Sequence, residues 1–210
     1  MKLIIVAAPG AGKGTQAEII SKHFDIPTIS TGAILRHNIK EGTELGKLAQ
    51  NYINDGKLVP DDIMIDIVRK RLTEDDCKNG FILDGFPRTL KQAEALDKSD
   101  IDIDKVLTIE VEDEKIVERL SGRLECSVCG SSFHKLYRAP EVDGVCDNCG
   151  GALRTRDDDK PEVIRDRLAT YYKQTAPLKE FYAKKGILCT AEGKEEIEET
   201  TVEVLKALED

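Results

Sequence analysis

The stretch Leu3-Ile4-Ile5-Val6-Ala7-Ala8-Pro9-Gly10-Ala11-Gly12-Lys13-Gly14-Thr15 decides how the chain is read. It opens with a short unbroken apolar run that stops at a Pro/Gly-rich turn, the pattern of a central parallel strand buried on both faces. After Lys13, the residues Ala17, Ile20 and Phe24 recur at helical spacing. Strand, glycine loop and helix together make a phosphate site. The glycines let successive N–H groups curl toward one anion, and the helix start adds its partial positive charge. Lys13 is placed to reach outer phosphates, and the Thr15 hydroxyl to approach magnesium. The competing reading is a glycine turn without a ligand, which the flanking strand and helix disfavour. Ala7 stands where such loops usually begin with Gly. If that position needs a positive φ its methyl group is strained, which predicts tuned affinity with the N–H donors retained.

Outward from this loop, helices are expected over residues 32–40, 45–55 and from Pro60 to about Arg71. Residues 81–83 form a second buried strand closed by Asp84-Gly85-Phe86-Pro87, and residues 106–111 a third, followed by a helix over 113–121. Strands alternating with helices predict an α/β fold, a doubly wound parallel sheet with crossover helices. Residues 123–160 break the rhythm with frequent Gly, Ser and Asp. The helical pattern returns after Pro161, and a strand over 187–190 and a last helix bearing Val204 and Leu208 follow. The chain has 210 residues, 40% hydrophobic and 34% charged, enough apolar material for a sizeable core and too much for disorder. A formal charge of −9 disfavours a nucleic-acid binder, so any anionic ligand must be met by a local cluster of cations. No apolar run approaches the ~18 residues of a membrane span. The N-terminal apolar stretch is too short for a secretory signal, so a cytoplasmic protein with reduced thiols is expected.

Cys126-x2-Cys129 and Cys146-x2-Cys149, sixteen residues apart, have the spacing of a four-thiolate zinc site. The intervening segment is poor in core residues, and ordering each backbone unit opposes folding by about 1–2 kcal/mol. Structural zinc supplies on the order of 10–16 kcal/mol in small peptides, so a structural metal is the expected staple. Two disulfides fit a cytoplasmic protein less well, and four sulfur ligands leave no open position for catalysis. His134 is an alternative ligand and is more simply a surface residue. Cys77 and Cys189 stand alone and are expected as small apolar fillers.

Arginines stand on both sides of the cysteine segment, among them Arg119, Arg123, Arg156 and Arg167. Arg119 and Arg123, four residues apart, are expected on one helix face. A flap carrying guanidinium groups is suited to closing over phosphates.

With the glycine loop, Ser30-Thr31-Gly32, Phe81-Ile82-Leu83-Asp84-Gly85-Phe86-Pro87-Arg88-Thr89, Leu120-Ser121-Gly122-Arg123, the cysteine quartet, Arg156-x-Asp158-Asp159 and Gln174-Thr175-x-Pro177-Leu178, the chain resembles the adenylate kinases, in their long form with a zinc-bearing lid. The resemblance implies a core of residues 1–29, 60–122 and 161–210, a monophosphate-binding insertion over 30–59 and a zinc lid over 123–160. It implies ATP at Gly10, Ala11, Gly12, Lys13, Gly14 and Thr15, with Arg119, Arg123, Ser132, Phe133 and Glu195 around it. AMP falls to Thr31, Arg36, Lys57, Leu58, Val59, Gly85, Phe86, Pro87, Arg88 and Gln92. It further implies that Arg156 and Arg167 bridge the nucleotides, that Asp84 holds magnesium through water, and that Lys13, Arg88, Arg123, Arg156 and Arg167 carry catalysis. It favours a monomer. The family usually has Asp where this chain has Ala33, and a second arginine where it has Leu124. Another nucleoside monophosphate kinase and a nucleotide-dependent zinc-ribbon binding module are the alternative functions.

Overall fold

The computed structural model describes residues 1–99 and 101–209. Five parallel strands, β1 (Lys2–Ala7), β2 (Thr28–Ser30), β3 (Phe81–Asp84), β4 (Lys105–Glu110) and β8 (Leu188–Glu192), form one sheet. Their order is β2-β3-β1-β4-β8, with the strand that precedes the glycine loop at the centre. Because side chains alternate across a strand, β1 feeds two cores. Leu3, Ile5 and Ala7 pack on one face with α1 (Lys13–Phe24), α6 (Asp113–Gly122), α7 (Pro161–Thr170) and α9 (Ile197–Glu209). Ile4 and Val6 pack on the other with α2 (Thr31–Lys40), α3 (Glu44–Asn54), α4 (Asp61–Leu72), α5 (Leu90–Asp97) and α8 (Leu178–Lys184). Both faces of the sheet are covered, which is why its strands read as continuous apolar runs and not as alternating ones.

All of these strands point the same way, so the segments leaving β1, β2, β3 and β8 emerge at one edge: the glycine loop, Thr31, Gly85 to Arg88, and Gly193 to Glu195. In open α/β sheets that carboxyl edge is where ligands bind. Beyond α6 the chain forms a separate antiparallel sheet, ordered β6-β5-β7, from β5 (Arg123–Cys126), β6 (Ser132–His134) and β7 (Leu153–Arg154). Its own core is small: Cys126, Phe133 and Cys146, with Leu124 and Leu153 against them.

Several local expectations need correction. α6 ends at Gly122, and Arg123 is extended, with φ −71° and ψ 139°. Arg119 and Arg123 therefore do not share a helix face. Ala7 is ordinary strand, and the left-handed positions of the loop are Gly10 and Gly12, with φ 85° and 93°. Its methyl group carries no backbone strain. β2 and α5 were not anticipated, and the helical pattern expected after Pro161 changes at Tyr171 into a five-residue π-helical stretch ending at Thr175. Among the described residues no helix is long and apolar enough to cross a membrane.

Candidate active site

The glycine loop hands directly into α1, whose N-cap, Gly12, offers no side chain and whose first turn has no acidic residue. The first N–H groups of that helix are thus left without an intrahelical or side-chain partner, which is the arrangement that receives an anion. By contrast α4 and α6 begin with Asp61-Asp62 and Asp113-Glu114, so their starts are already neutralised.

Two cavities open at the carboxyl edge. The larger, about 380 Å³, is lined by the loop residues Gly10 to Thr15, by Asp84, Arg119 and Arg123, and by Ser132, Phe133 and Glu195. The smaller, about 130 Å³, is lined by Thr31, Arg36, Lys57, Leu58, Val59, Gly85, Pro87, Arg88 and Gln92. Lys13, Arg36, Arg88, Arg156 and Arg167 line both. A wall of five cations is therefore common to two pockets, in a chain whose formal charge is −9. Phe86 lines neither: it is 2% exposed and belongs to the core beneath the smaller cavity.

The wall is held by hydrogen bonds that leave little freedom. The Arg88 N–H donates to Gln92 Oε1 (2.7 Å), its carbonyl accepts from Thr175 Oγ1 (2.9 Å), and its Nε donates to the Gly85 carbonyl (2.8 Å). Gln92 Nε2 is spent on Asp61 Oδ1 at 2.7 Å, so both ends of that amide serve the protein. Arg119 donates to the Lys194 carbonyl at 2.5 Å and ties α6 to the segment after β8. The Asp84 carboxylate accepts from Ser30 Oγ at 3.0 Å.

Buried carboxylates hold the remaining arginines. Asp159, whose side chain is wholly enclosed, accepts Arg123 Nε at 2.8 Å and Nη2 at 2.5 Å, and also Arg167 Nη1 at 3.0 Å. Asp158 accepts Arg156 through a bidentate pair of 2.8 and 2.6 Å, and Arg167 Nη1 at 3.1 Å. Burial opposes the charged form of Asp158, but Arg156 and Arg167 outweigh it and hold the carboxyl well below the usual carboxylate range. Arg36 and Arg167 are each pushed down to about 10, chiefly by burial, and so remain charged at neutral pH.

The four sulfurs of Cys126, Cys129, Cys146 and Cys149 lie within 4.8 Å of one another. Cys126 and Cys149 are 3.5 Å apart, Cys129 and Cys146 3.6 Å. A tetrahedral zinc with bonds of about 2.3 Å requires sulfurs about 3.8 Å apart, so the donor set fits a closed four-thiolate metal site. His134 is outside it: its Nδ1 accepts the N–H groups of Leu136 and Tyr137 at 3.0 and 3.1 Å.

Residues passed over in the sequence also reach the cavities. Arg138 lies over the Phe133 ring at 5.5 Å and pairs with Glu18 at 3.5 Å. Glu125 lines the larger cavity and is 8% exposed. Neither stands in a spacing that marks it; only pairing across the fold does.

A sequence model of the adenylate kinase family matches residues 5–187. An adenylate kinase of Caldicellulosiruptor saccharolyticus is 62% identical over 99% of both chains. Those of Acetivibrio thermocellus and Methanosarcina barkeri are 54% and 50% identical, each over 99% of this chain and 98% of the relative. The chain belongs to the adenylate kinase family. Its members are nucleoside monophosphate kinases, and the two cavities with a shared cationic wall are consistent with phosphoryl transfer between two bound nucleotides.

Lys13 sits in the middle of that wall. Its ammonium donates to the carbonyls of Ala7 (3.0 Å) and Ala8 (2.9 Å). Burial, more than any neighbour, pushes its pKa down to about 7; Asp84 opposes this, while Arg88, Arg167 and Arg123 add to it. The unfolded chain then binds a proton at Lys13 that the ligand-free folded chain has lost between about pH 7 and 10.5, so stability from this group rises with pH across that window. Lys13→Met removes the penalty. Its stability advantage over the wild type, measured by chemical denaturation, is expected to be largest near pH 6.5 and to shrink by pH 8.5. An advantage independent of pH would contradict the assignment.

Proposed function

We propose that the protein catalyses reversible transfer of the terminal phosphoryl group of MgATP to AMP, giving two ADP. The observation that carries this reading is the wall of Lys13, Arg36, Arg88, Arg156 and Arg167 shared by two cavities. A single-nucleotide switch needs no second pocket on the far side of its cations. In this reading ATP lies along the glycine loop, with its base toward Arg119, Phe133 and the Gly193 to Glu195 segment. AMP lies in the smaller cavity, its phosphate near Arg36 and Arg88 and its base near Lys57 to Val59. Residues 1–29, 60–122 and 161–210 act as the core, 30–59 as the monophosphate insertion and 123–160 as a lid.

Asp84 and Thr15 would hold magnesium arriving with ATP, which would supply neutralising charge at the phosphate oxygens. The protein's own contribution is alignment and electrostatics. Guanidinium forks bond two oxygens each and stay charged. They are fixed before reaction by Asp158, Asp159 and the Gly85 carbonyl, so little reorganisation accompanies charge spreading over the transferred group. The lid shuts out water that would otherwise take the phosphoryl group.

Mixing the protein with MgATP and AMP tests the reading directly: two ADP form for each AMP consumed. Arg88→Ala leaves the backbone bonds of residue 88 in place and is expected to lower kcat by about 10³-fold or more, with an unchanged melting temperature. Wild-type turnover in that variant would remove Arg88 from the chemistry.

We also assign zinc to the cysteine quartet as a structural ion. The sheet β6-β5-β7 has too small a core to stand alone, so the metal makes the lid move as one body. The purified protein is expected to carry about one zinc per chain. Stripping it should lower the melting temperature by several degrees. An unchanged melting temperature after verified metal loss would refute the assignment.

A further inference from the structure

Two acidic residues open α4, and they face different ways. Asp62 is exposed and reaches outward to Lys91 at 2.9 Å. Asp61 is half-buried and faces α5. Its Oδ1 accepts Gln92 Nε2 at 2.7 Å and Thr89 Oγ1 at 3.0 Å. Thr89 Oγ1 in turn accepts the Gln92 backbone N–H at 3.2 Å and caps α5. An acidic group favours a helix start, and Asp62 already supplies one. That role does not call for a second carboxylate aimed at a glutamine that is 2% exposed.

The groups around Gln92 fix which way its amide faces. A primary amide carries two donors on nitrogen and two acceptor sites on oxygen, a carboxylate only accepts, and a backbone N–H only donates. Gln92 Nε2 must therefore face Asp61, and Oε1 must face the Arg88 N–H, 2.7 Å away. Turning the amide over would set oxygen against carboxylate and nitrogen against N–H, so that two buried bonds give way to two mismatches. Each end of the amide has spent one of its two capacities on the protein. One N–H and one acceptor site remain, on a residue that lines the smaller cavity. A ligand there meets a donor and an acceptor whose order it cannot reverse.

We propose that Asp61 is a positioning residue for base selection: by locking the Gln92 amide, it makes the smaller cavity accept a six-amino purine and reject a six-oxo one. Adenine offers N1 as an acceptor beside its six-amino donor, which complements the locked amide. A six-oxo purine offers an N1–H donor beside an oxygen acceptor and pairs only with the amide turned over. Its binding would leave buried polar groups mismatched, which is the strongest form of rejection such a site has. Asp61 acts through Gln92 and not on the base itself. This rests on the reading of the smaller cavity as the acceptor site, with Gln92 facing the base.

The test compares AMP with inosine monophosphate as acceptors for the full chain, with radiolabelled ATP so that slow turnover is counted. Asp61→Asn keeps the shape but can donate as well as accept, so a turned amide then forfeits one bond and not two. The preference for AMP, as a ratio of kcat/KM values, is expected to fall about tenfold in that variant, with AMP itself changed by less than about threefold. The gain belongs to inosine monophosphate. Asp61→Ala, which removes the acceptor, should raise the AMP KM and lower the preference as well. A merely structural aspartate would cost both acceptors equally. A preference in Asp61→Asn that is raised, or unchanged within about twofold, would overturn the proposal, and so would equal losses for both acceptors in either variant. A wild type that uses inosine monophosphate as readily as AMP would instead overturn the reading that Gln92 faces the base, and the proposal with it, so the two failures are distinct.

Discussion

The structure depends on two neighbouring aspartates that are buried because they are paired. Asp158 and Asp159 lie between β7 and α7, immediately before the latter, and between them hold Arg123, Arg156 and Arg167. Without these carboxylates the cations of the shared wall would repel one another in a partly desolvated cleft, and burying an unpaired charge is strongly unfavourable. With them, the arginines are fixed in place while the wall as a whole stays positive. The protein thus maintains a local field opposite in sign to its net charge.

The rest of the fold supports that arrangement. The parallel sheet brings the ends of β1, β2, β3 and β8 to one edge, and the two cores lock the edge in place from both faces. The segment carrying β5 to β7 reaches back over it through Glu125 to Arg36 and through Arg138 to Glu18. Arg123 and Arg156 are carried by the stretch between α6 and α7, and Arg167 is anchored to it through Asp158 and Asp159. In the proposed function, charge neutralisation and exclusion of water would then be delivered by the same pieces.

Much of this was legible in the chain because the signals are local. The apolar run before Gly10, the helical spacing after Lys13 and the cysteine spacing each specify a short piece of structure, and all the residues that the resemblance to the adenylate kinases assigned to nucleotide, Phe86 excepted, line one of the two cavities. What escaped is non-local. β2, only three residues long, is a strand because β3 lies beside it, and nothing in Thr28-Ile29-Ser30 itself requires one. The expected helical pairing of Arg119 with Arg123 failed because spacing cannot show that α6 stops at Gly122. Phe86 sits within a motif of cavity residues yet turns into the core, since a large aromatic ring gains more from burial than from facing phosphate. Glu125 was invisible because its partners are separated from it by 89 and 31 residues in sequence.

The central claim is that one wall of cations serves two nucleotides at once. Equilibrium dialysis of the zinc-loaded protein against saturating ADP measures this most directly, as adenine nucleotide bound per chain. The account predicts two; saturation at one would contradict it.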